Sequence, residues 1–314
     1  MSLPLIIGLS AVIVAADTQR PVTLVTRRDA SLPALPFGAF DPVNHRTFEL
    51  GLRGWVREQT GFELGYVEQL YTFGDRGRET PDAHLSSAPG MARVISVSYL
   101  ALTPEAAEID TSFDANWRNW YAFFPWEDHR NGRPRLIDAD IAPQLKSWAA
   151  GQADRLDRAR LAFGFDGHAW IEERVLERYE LLYEAGLVAE CARDSGLPSQ
   201  RPHFGEPMAS DHRRILATAI SRLRGKLKYR PVLFELMPER FTLSALQRTC
   251  EALLGLRLHK QNFRRALDKT GLLEGTGAME TSTGGRPAEL FRFRRELLRR
   301  RIVTGVATPG RRTE

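Results

Sequence analysis

Cysteine is scarce in this sequence, with Cys191 and Cys250 the only two in 314 residues. Neither has another cysteine or a histidine at the spacing of a zinc site, which argues against a zinc finger. Two cysteines are also too few for a disulfide framework. The composition favours a reducing compartment, and we expect a cytoplasmic protein.

Long hydrophobic runs are lacking as well. Residues 3–16 are apolar, but no basic residue precedes them, and a polar turn at 17–21 leads into a second strand-like run at 22–25. This pattern predicts a β-hairpin rather than a signal peptide or a membrane anchor. No other stretch approaches the roughly 18 apolar residues needed to span a bilayer. We therefore expect no membrane association.

The charge is unevenly distributed along the chain. Residues 201–314 contain 24 Lys and Arg against 11 Asp and Glu, a net charge of +13, whereas residues 1–200 have a net charge of −8. The whole-chain value of +5 hides this division. A basic C-terminal third joined to an acidic remainder suggests a polyanion-binding module attached to a unit of another kind. A solvated basic face is the alternative.

The basic third contains the pattern of a winged helix-turn-helix. A helical pattern at 242–248 is followed, after Gly255, by a second at 259–267, and a glycine-bounded hairpin then spans 284–293. Helix, tight connection, basic helix and basic hairpin follow each other in the order of that fold. In the second helix, the spacing of Phe263, Ala266 and Leu267 predicts an inward-facing side.

The remaining side chains of the second helix are then left to face DNA. Arginine can contact guanine and glutamine adenine in the major groove, while other contacts position the backbone. The predicted DNA-binding residues are Lys260, Gln261, Asn262, Arg264, Arg265 and Lys269 in this helix, Arg248 in the preceding helix and Arg286 at the wing tip. An RNA-binding protein is an alternative, but it would need exposed aromatics among the basic residues.

The acidic part of the chain alternates strands and helices. The patterns predict a helix at 48–60 ended by Gly61, strands at 66–73 and 94–102 with a polar loop between them, and helices at 142–161 and 171–185. An aromatic cluster at 117–126 is interpreted as core, with base stacking as the alternative. We assign 1–195 to a first domain, 196–210 to a linker, 211–303 to the winged-helix domain and 304–314 to a disordered tail.

Several strings resemble a known family. Leu-Pro-Phe-Gly at 35–38, the helix end at 57–62 and Glu-Gln-Leu-Tyr-Thr-Phe-Gly-Asp at 68–75 resemble a Nudix domain, and more narrowly the Nudix-related transcriptional regulators of NAD metabolism, the NrtR-like group. Asn-Phe-Arg-Arg at 262–265 and Gly-Arg-Pro-Ala at 285–288 resemble the winged helix of that group, and the aromatic segment resembles its NadQ branch. The resemblance implies an α+β protein: a Nudix-like α/β/α sandwich followed by a winged helix-turn-helix domain.

The catalytic signature of Nudix enzymes is incomplete in this sequence. That signature places several glutamates on one helix to hold Mg²⁺. Here Arg46, Trp55 and Gln59 replace expected signature residues, and only Glu58 stands at a ligand position. We therefore predict no catalytic residues, no metal and no cofactor. An active nucleoside-diphosphate hydrolase with an accessory nucleic-acid-binding domain is the alternative.

A cleft without hydrolytic activity can still bind a ligand. Arg27 and Arg28 offer donors suited to phosphate, although they also fit a charged strand end. The predicted effector-binding residues are these two arginines with Phe37, Phe40, Glu58 and Phe73; each phenylalanine is equally suited to the core. The resemblance implies an adenine nucleotide effector such as NAD, ADP-ribose or ATP, and a repressor that binds operator DNA as a homodimer.

Overall fold

The computed structural model describes residues 4–27, 32–75, 77–78, 92–198, 201–229, 232–281 and 287–294. The first part of the chain forms a six-stranded sheet in the order β4-β5-β1-β2-β6, with β3 also paired to β1. Its strands are β1 Leu5–Ala16, β2 Pro21–Thr26, β3 Phe37–Ala39, β4 Tyr66–Phe73, β5 Arg93–Leu102 and β6 Ala115–Asn119.

Strand β1 is the centre of this sheet. It pairs in parallel with β5 on one side, and antiparallel with β2 and β3 on the other. The β1–β2 pairing confirms the predicted hairpin, and β4 and β5 confirm the two predicted strands. Residues of β1 alternate between two hydrophobic cores, so that Leu9 and Ile13 face one side of the sheet and Val12 and Val14 the other.

Helix α1, Phe48–Thr60, covers the first of these faces. Its N-terminus is capped by Thr47, whose hydroxyl accepts a hydrogen bond from Leu50 N–H at 3.2 Å, and it ends at Gly61 in the left-handed region with φ +66°. Leu52 and Val56 are buried against the sheet. The predicted helix and its glycine cap are confirmed.

Several helices pack into the hydrophobic core on the other face. They are α2 Trp120–Phe123, α3 Ala142–Trp148, α4 Ala153–Phe163, α5 Val175–Glu184, α6 Ala189–Ser195 and α7 His212–Tyr229. Of these, α2 and α7 are in contact with the strands. Two of the three tryptophans of the aromatic segment, Trp120 and Trp126, are fully buried, and Trp117 on β6 is half-buried. This burial confirms the core interpretation of that segment.

The structure packs α7 on the six-stranded sheet. We expected this helix to begin the winged-helix domain after a linker at 196–210. In the structure, the His212 ring packs edge-on against the Phe37 ring, with the centroids 4.9 Å apart, and its Nδ1 accepts the Leu35 N–H at 3.0 Å. Phe204 and Met208 of the expected linker are buried. Helix α7 thus lies on the face of the sheet opposite α1, where it packs against strands β1 and β4 and against α5.

The prediction of one helix over 142–161 was wrong. The structure has α3 and α4 there, separated at Ala149–Gln152, where Gly151 has φ +76°. A positive φ is incompatible with a continuous α-helix, so the helix is interrupted here. The apolar periodicity continues through the interruption, which is why the sequence pattern predicted a single helix.

The C-terminal part forms the expected winged helix-turn-helix. Its elements are β7 Phe241–Thr242, α8 Leu243–Leu254, α9 Lys260–Thr270, β8 Leu273–Glu280 and β9 Ala288–Phe293. The three strands form a small sheet in the order β7-β9-β8. The wing residues 282–286 and the tail 304–314 lie outside the described residues. In the part of the chain that the structure describes, no helix is long and apolar enough to cross a membrane.

Candidate ligand cleft and DNA interface

The end of α1 is fastened to strand β3. The Gln59 side chain forms two hydrogen bonds with the backbone of Phe37: its Oε1 accepts from the Phe37 N–H at 3.2 Å, and its Nε2 donates to the Phe37 carbonyl at 2.6 Å. One turn earlier, Trp55 Nε1 donates to the Ala39 carbonyl at 2.8 Å. A carboxylate could not replace Gln59 here, because it has no proton to donate.

Gly38 makes the Trp55 contact possible. A Cβ at this glycine would lie 2.2 Å from the Trp55 ring, so the indole lies directly on the β3 backbone. Trp55 and Gln59, two of the positions at which we expected Nudix signature residues, therefore attach the helix to the strand. Glu58 and Arg46 are exposed. Among the described residues, no group of three or more His, Cys, Asp or Glu side chains is arranged to hold a metal ion. The donor set present does not fit a Nudix magnesium centre.

The structure separates the phenylalanines predicted to stack on a nucleotide. Phe37 and Phe73 are buried and face the α7 side of the sheet. Phe40 is half-buried on the α1 side, where its ring packs edge-on against Phe48, with the centroids 4.6 Å apart. The three rings do not form one stacking platform. Phe37 and Phe73 are core residues, and of the three only Phe40 keeps a partly accessible ring.

Arg27 lies at the exposed end of β2. Its backbone N–H donates to the Asp114 carbonyl at 2.9 Å, which extends the β2–β6 pairing by one residue. Arg28 lies outside the described residues. Arg27 is therefore available to an anionic ligand at this edge. Its position at the end of a strand is by itself also sufficient to explain why a charged residue stands here.

An ion-pair cluster that the sequence did not reveal holds the turn after β4. Arg78 contacts Glu180 of α5 at 2.9 Å and Asp211 at 3.4 Å, and Arg214 of α7 contacts Asp75 and, at 2.6 Å, Glu180. Burial raises the pKa of Asp211 to about 7 despite these two arginines. The hydrogen bond from Arg214 lowers the pKa of Asp75. The Phe-Gly-Asp string thus docks onto α5 and α7, which sequence spacing alone cannot show.

The two helices of the winged domain have clear local signals. Thr242 caps α8, its hydroxyl accepting the Ala245 N–H at 3.1 Å, and Gly255 ends the helix with φ +70°. In α9, Phe263 and Leu267 are buried, as predicted. The predicted DNA-facing side chains Lys260, Gln261, Arg264, Arg265 and Lys269 are all exposed, Asn262 is half-buried, and Arg248 is exposed on α8. Arg286 lies outside the described residues.

The charge of α9 suits a polyanion. The helix carries four basic residues and one acidic residue. Lys260 stands at its first position, where the positive end of the helix dipole disfavours a cation by about 0.3–1 kcal/mol. A nearby phosphate would relieve that cost. An exposed basic face of this kind suits a polyanion such as DNA.

Glu251 fixes the connection between α8 and α9. This nearly buried carboxylate accepts hydrogen bonds from the Leu258 N–H at 3.0 Å and from Gln247 Nε2 at 2.9 Å, and it pairs with Arg257 at 2.9 Å. The sequence does not single out this residue, because a glutamate within a helix usually faces solvent. Its contacts set the angle at which α9 leaves the turn.

A sheet with helices on both faces is joined in this chain to a winged helix that has an exposed basic helix. Residues 233–293 match the family model described as the NrtR DNA-binding winged helix domain. The chain is also similar to the ADPR responsive transcriptional repressor NtrR of Acinetobacter baylyi, with 41% identity over 86 residues, which is 27% of this chain and 34% of the relative. The match thus spans about a third of that relative.

Solved structures show the same fold over nearly the whole chain. The crystal structure of Shewanella oneidensis NrtR matches with a TM-score of 0.57 and 21% identity, covering 96% of this chain and 99% of the other. The same protein complexed with a 27mer DNA matches with a TM-score of 0.57 and 22% identity, covering 97% and 99%. A MutT/nudix family protein from Enterococcus faecalis matches with a TM-score of 0.52 and 16% identity, covering 93% and 87%.

These comparisons confirm the fold class, and residues 233–293 match the model of the NrtR DNA-binding winged helix domain. The chain is similar to Nudix-related transcriptional regulators of the NrtR type. The match begins at residue 233, after α7 has ended at Tyr229.

Proposed function

We propose that this protein is a transcriptional repressor whose winged helix binds operator DNA and whose Nudix-like domain senses an adenine nucleotide. The observation that carries the proposal is helix α9. Phe263 and Leu267 attach one side of it to the domain core, while four basic residues and Gln261 stand exposed on the rest. The match of 233–293 to a DNA-binding domain family supports a role for that face in DNA binding.

The recognition chemistry follows from the side chains. Arg264 and Arg265 can each form two hydrogen bonds with a guanine edge, and Gln261 can do so with adenine. Lys260 and Lys269 supply phosphate contacts at the two ends of the helix. In this proposal Asn262 and Arg248 position the sugar-phosphate backbone, and Arg286 contacts phosphate or a narrow minor groove from the wing. Helix-turn-helix proteins usually bind DNA as twofold dimers, with recognition helices about 34 Å apart. We therefore include a homodimer in the proposal.

The sensor domain binds its ligand without hydrolysing it. Support comes from Trp55 and Gln59, which hold β3 where an enzyme would present carboxylates. The relative from Acinetobacter baylyi is named as ADPR responsive, so ADP-ribose is the first effector to test, followed by NAD and ATP. Arg27, Arg28, Phe40 and Glu58 are the side chains we assign to the cleft. A repressor acts in the compartment that contains its operator DNA, which in a bacterial cell is the cytoplasm. We therefore place the protein in the cytoplasm.

One experiment separates this proposal from the hydrolase alternative. The purified chain is incubated with ADP-ribose and excess Mg²⁺ while phosphate-bond cleavage is followed, and its binding to promoter DNA is measured by footprinting with and without each nucleotide. We expect a protected DNA segment, a nucleotide-dependent change in protection and no turnover. Turnover that disappears in Glu58→Gln would instead establish an enzyme.

The DNA and nucleotide parts are tested separately by the same data. Protection that no nucleotide alters would keep the DNA-binding assignment and remove the sensor assignment. Analytical ultracentrifugation of the free protein tests the dimer, and a monomer at micromolar concentration that stays monomeric on DNA would contradict it.

A further inference from the structure

The turn of the helix-turn-helix is held by groups from the Nudix-like domain. Three hydrogen bonds from that domain end on backbone carbonyls in the last turn of α8 and at its C-cap: Tyr121 Oη to Ala252 O at 2.7 Å, Arg224 Nε to Leu253 O at 3.0 Å, and His129 N to Gly255 O at 2.7 Å. The last carbonyls of a helix have no partner within the helix. The C-terminal end of α8 is therefore capped from outside its own domain.

Arg224 ties this cap to a buried charge network. Its guanidinium is fully buried and donates from Nη1 to Glu127 Oε2 at 2.6 Å, while Arg178, also fully buried, donates to the two oxygens of the same carboxylate at 2.5 and 2.9 Å. One carboxylate thus serves two guanidinium groups. The second positive charge is balanced by carbonyl oxygens, including that of Leu253 at the negative end of α8.

This charge balance makes separation of the domains costly. If the turn moved away, Arg224 would keep its share of Glu127 but lose the Leu253 carbonyl. The Nε–H of Arg224 would then be a buried donor without an acceptor, which is unfavourable. Tyr121 lies in the same network, because its hydroxyl accepts from Arg224 Nη2 at 3.3 Å and donates to Ala252.

Gly255 allows the two domains to approach this closely. A Cβ at residue 255 would lie 2.3 Å from the Glu127 carbonyl oxygen and 2.9 Å from the Tyr121 hydroxyl. Its φ of +70° is also a conformation that other residues rarely adopt. The same glycine therefore ends α8 and lets the turn lie directly against the segment that contains Tyr121 and Glu127.

From these contacts we infer that Tyr121 and Arg224 are positioning residues that lock the helix-turn-helix turn onto the Nudix-like domain. We call the set Tyr121, Glu127, His129 and Arg224 the turn clamp. The clamp fixes the direction in which α9 faces DNA, so that a change in the sensor reaches α9 through a rigid contact. Its effect on regulation rests on the proposed function; the clamp itself is testable without DNA or nucleotide.

The His129 amide reports directly on the clamp, because its hydrogen bond crosses to Gly255. Amide hydrogen exchange is measured in the full-length, ligand-free chain and in Tyr121→Phe, which keeps the ring and deletes the hydroxyl. We expect exchange at His129 to rise about 5-fold, the effect of one hydrogen bond, while amides of β1 keep their rates.

Tyr183→Phe is the matched control. It deletes a tyrosine hydroxyl that bonds Asp194 Oδ2 at 3.0 Å, between α5 and α6 and away from the turn. It should leave exchange at His129 unchanged. Unaltered exchange at His129 in Tyr121→Phe, or an equal rise at His129 and throughout β1, would overturn the clamp.

The regulatory consequence is measured in the same variants by titrating promoter DNA with and without ADP-ribose. Tyr121→Phe should bind ADP-ribose as the wild type does in the absence of DNA, yet show a smaller nucleotide-dependent shift in DNA affinity. A shift of full size together with faster exchange at His129 would overturn the positioning role. Faster exchange in a protein whose wild type ignores ADP-ribose would leave the clamp established and the proposed sensor function wrong.

Discussion

Gln59 of α1 forms two hydrogen bonds with the backbone of Phe37, one donated by its amide and one accepted by it. This pairing couples the helix that Nudix enzymes use for metal binding to a strand beside the central strand of the sheet. It needs a side chain with both a donor and an acceptor. Gln59 stands where we expected a residue of the Nudix signature, and its side chain serves in packing instead. This role is directly testable.

Gln59→Glu should destabilise the fold without creating a hydrolase. The carboxylate loses the bond to the Phe37 carbonyl and places a negative charge beside that oxygen, which we expect to cost about 1–3 kcal/mol of unfolding free energy. Urea denaturation checks the cost. Glu58→Gln is the control: this neighbour is exposed, so its change should stay within about 0.5 kcal/mol. A Gln59→Glu protein of wild-type stability with magnesium-dependent turnover would contradict both parts.

Arg264→Ala or Arg265→Ala should each weaken specific DNA binding by about 1–3 kcal/mol if the side chain contacts a base. Arg286→Ala should weaken binding to all DNA sequences alike. It should also reduce the slope of the logarithm of the binding constant against the logarithm of the salt concentration by about one unit per lost phosphate contact. Fluorescence anisotropy at several salt concentrations measures both effects. Arg57→Ala, an exposed arginine of α1, is the control and should leave DNA affinity unchanged. If the Arg264→Ala/Arg265→Ala double variant keeps full operator affinity, α9 does not enter the groove.

Arg27→Ala combined with Arg28→Ala should abolish the effect of nucleotide on DNA affinity and leave ligand-free DNA binding intact. Coupling of this kind usually amounts to about 5–150-fold, and linkage requires DNA to change nucleotide affinity by the same factor. Titrations in both directions check the value. Arg20→Ala, at the opposite end of the same strand, should retain the wild-type coupling. Loss of coupling in Arg20→Ala as well would point to a general charge effect.

Asp211 should make the fold less stable as the pH rises. Its pKa is raised by burial from the ordinary 3.8 to about 7 in the folded protein. The folded state therefore favours the protonated form, and this contribution to stability is present below about pH 4 and is lost as the pH rises through about 7. Asp211→Asn, which mimics the protonated acid, should show a flatter stability profile between pH 5 and 8 in urea denaturation.

Asp75→Asn is the control for this profile, because the pKa of Asp75 is lowered by the hydrogen bond from Arg214. The stability that Asp75 supplies is present above its ordinary pKa and is lost only as the pH falls below it. Asp75→Asn should therefore lower stability equally at pH 5 and pH 8. A wild-type profile that Asp211→Asn does not alter would show that Asp211 is ionised throughout this range.

The sequence by itself determined the elements that depend on neighbouring residues. Thr47 and Gly61 limit α1, Thr242 and Gly255 limit α8, and each pair acts within one turn of helix. The inward position of Phe263 in α9 follows from helical spacing in the same way. The fold class and the exposed basic face of α9 were predictable for this reason.

Only the tertiary structure decided how distant segments meet. The apolar face of α7 did not say whether the sheet or the winged helix would cover it, and Phe37 and Phe73 fitted a cleft and a core equally well until α7 was placed over them. Glu127, Arg178 and Arg224 are ordinary charged residues in the sequence. They become a buried network because three separate segments pack around them, and burial of a charge depends on long-range contacts that local spacing does not encode.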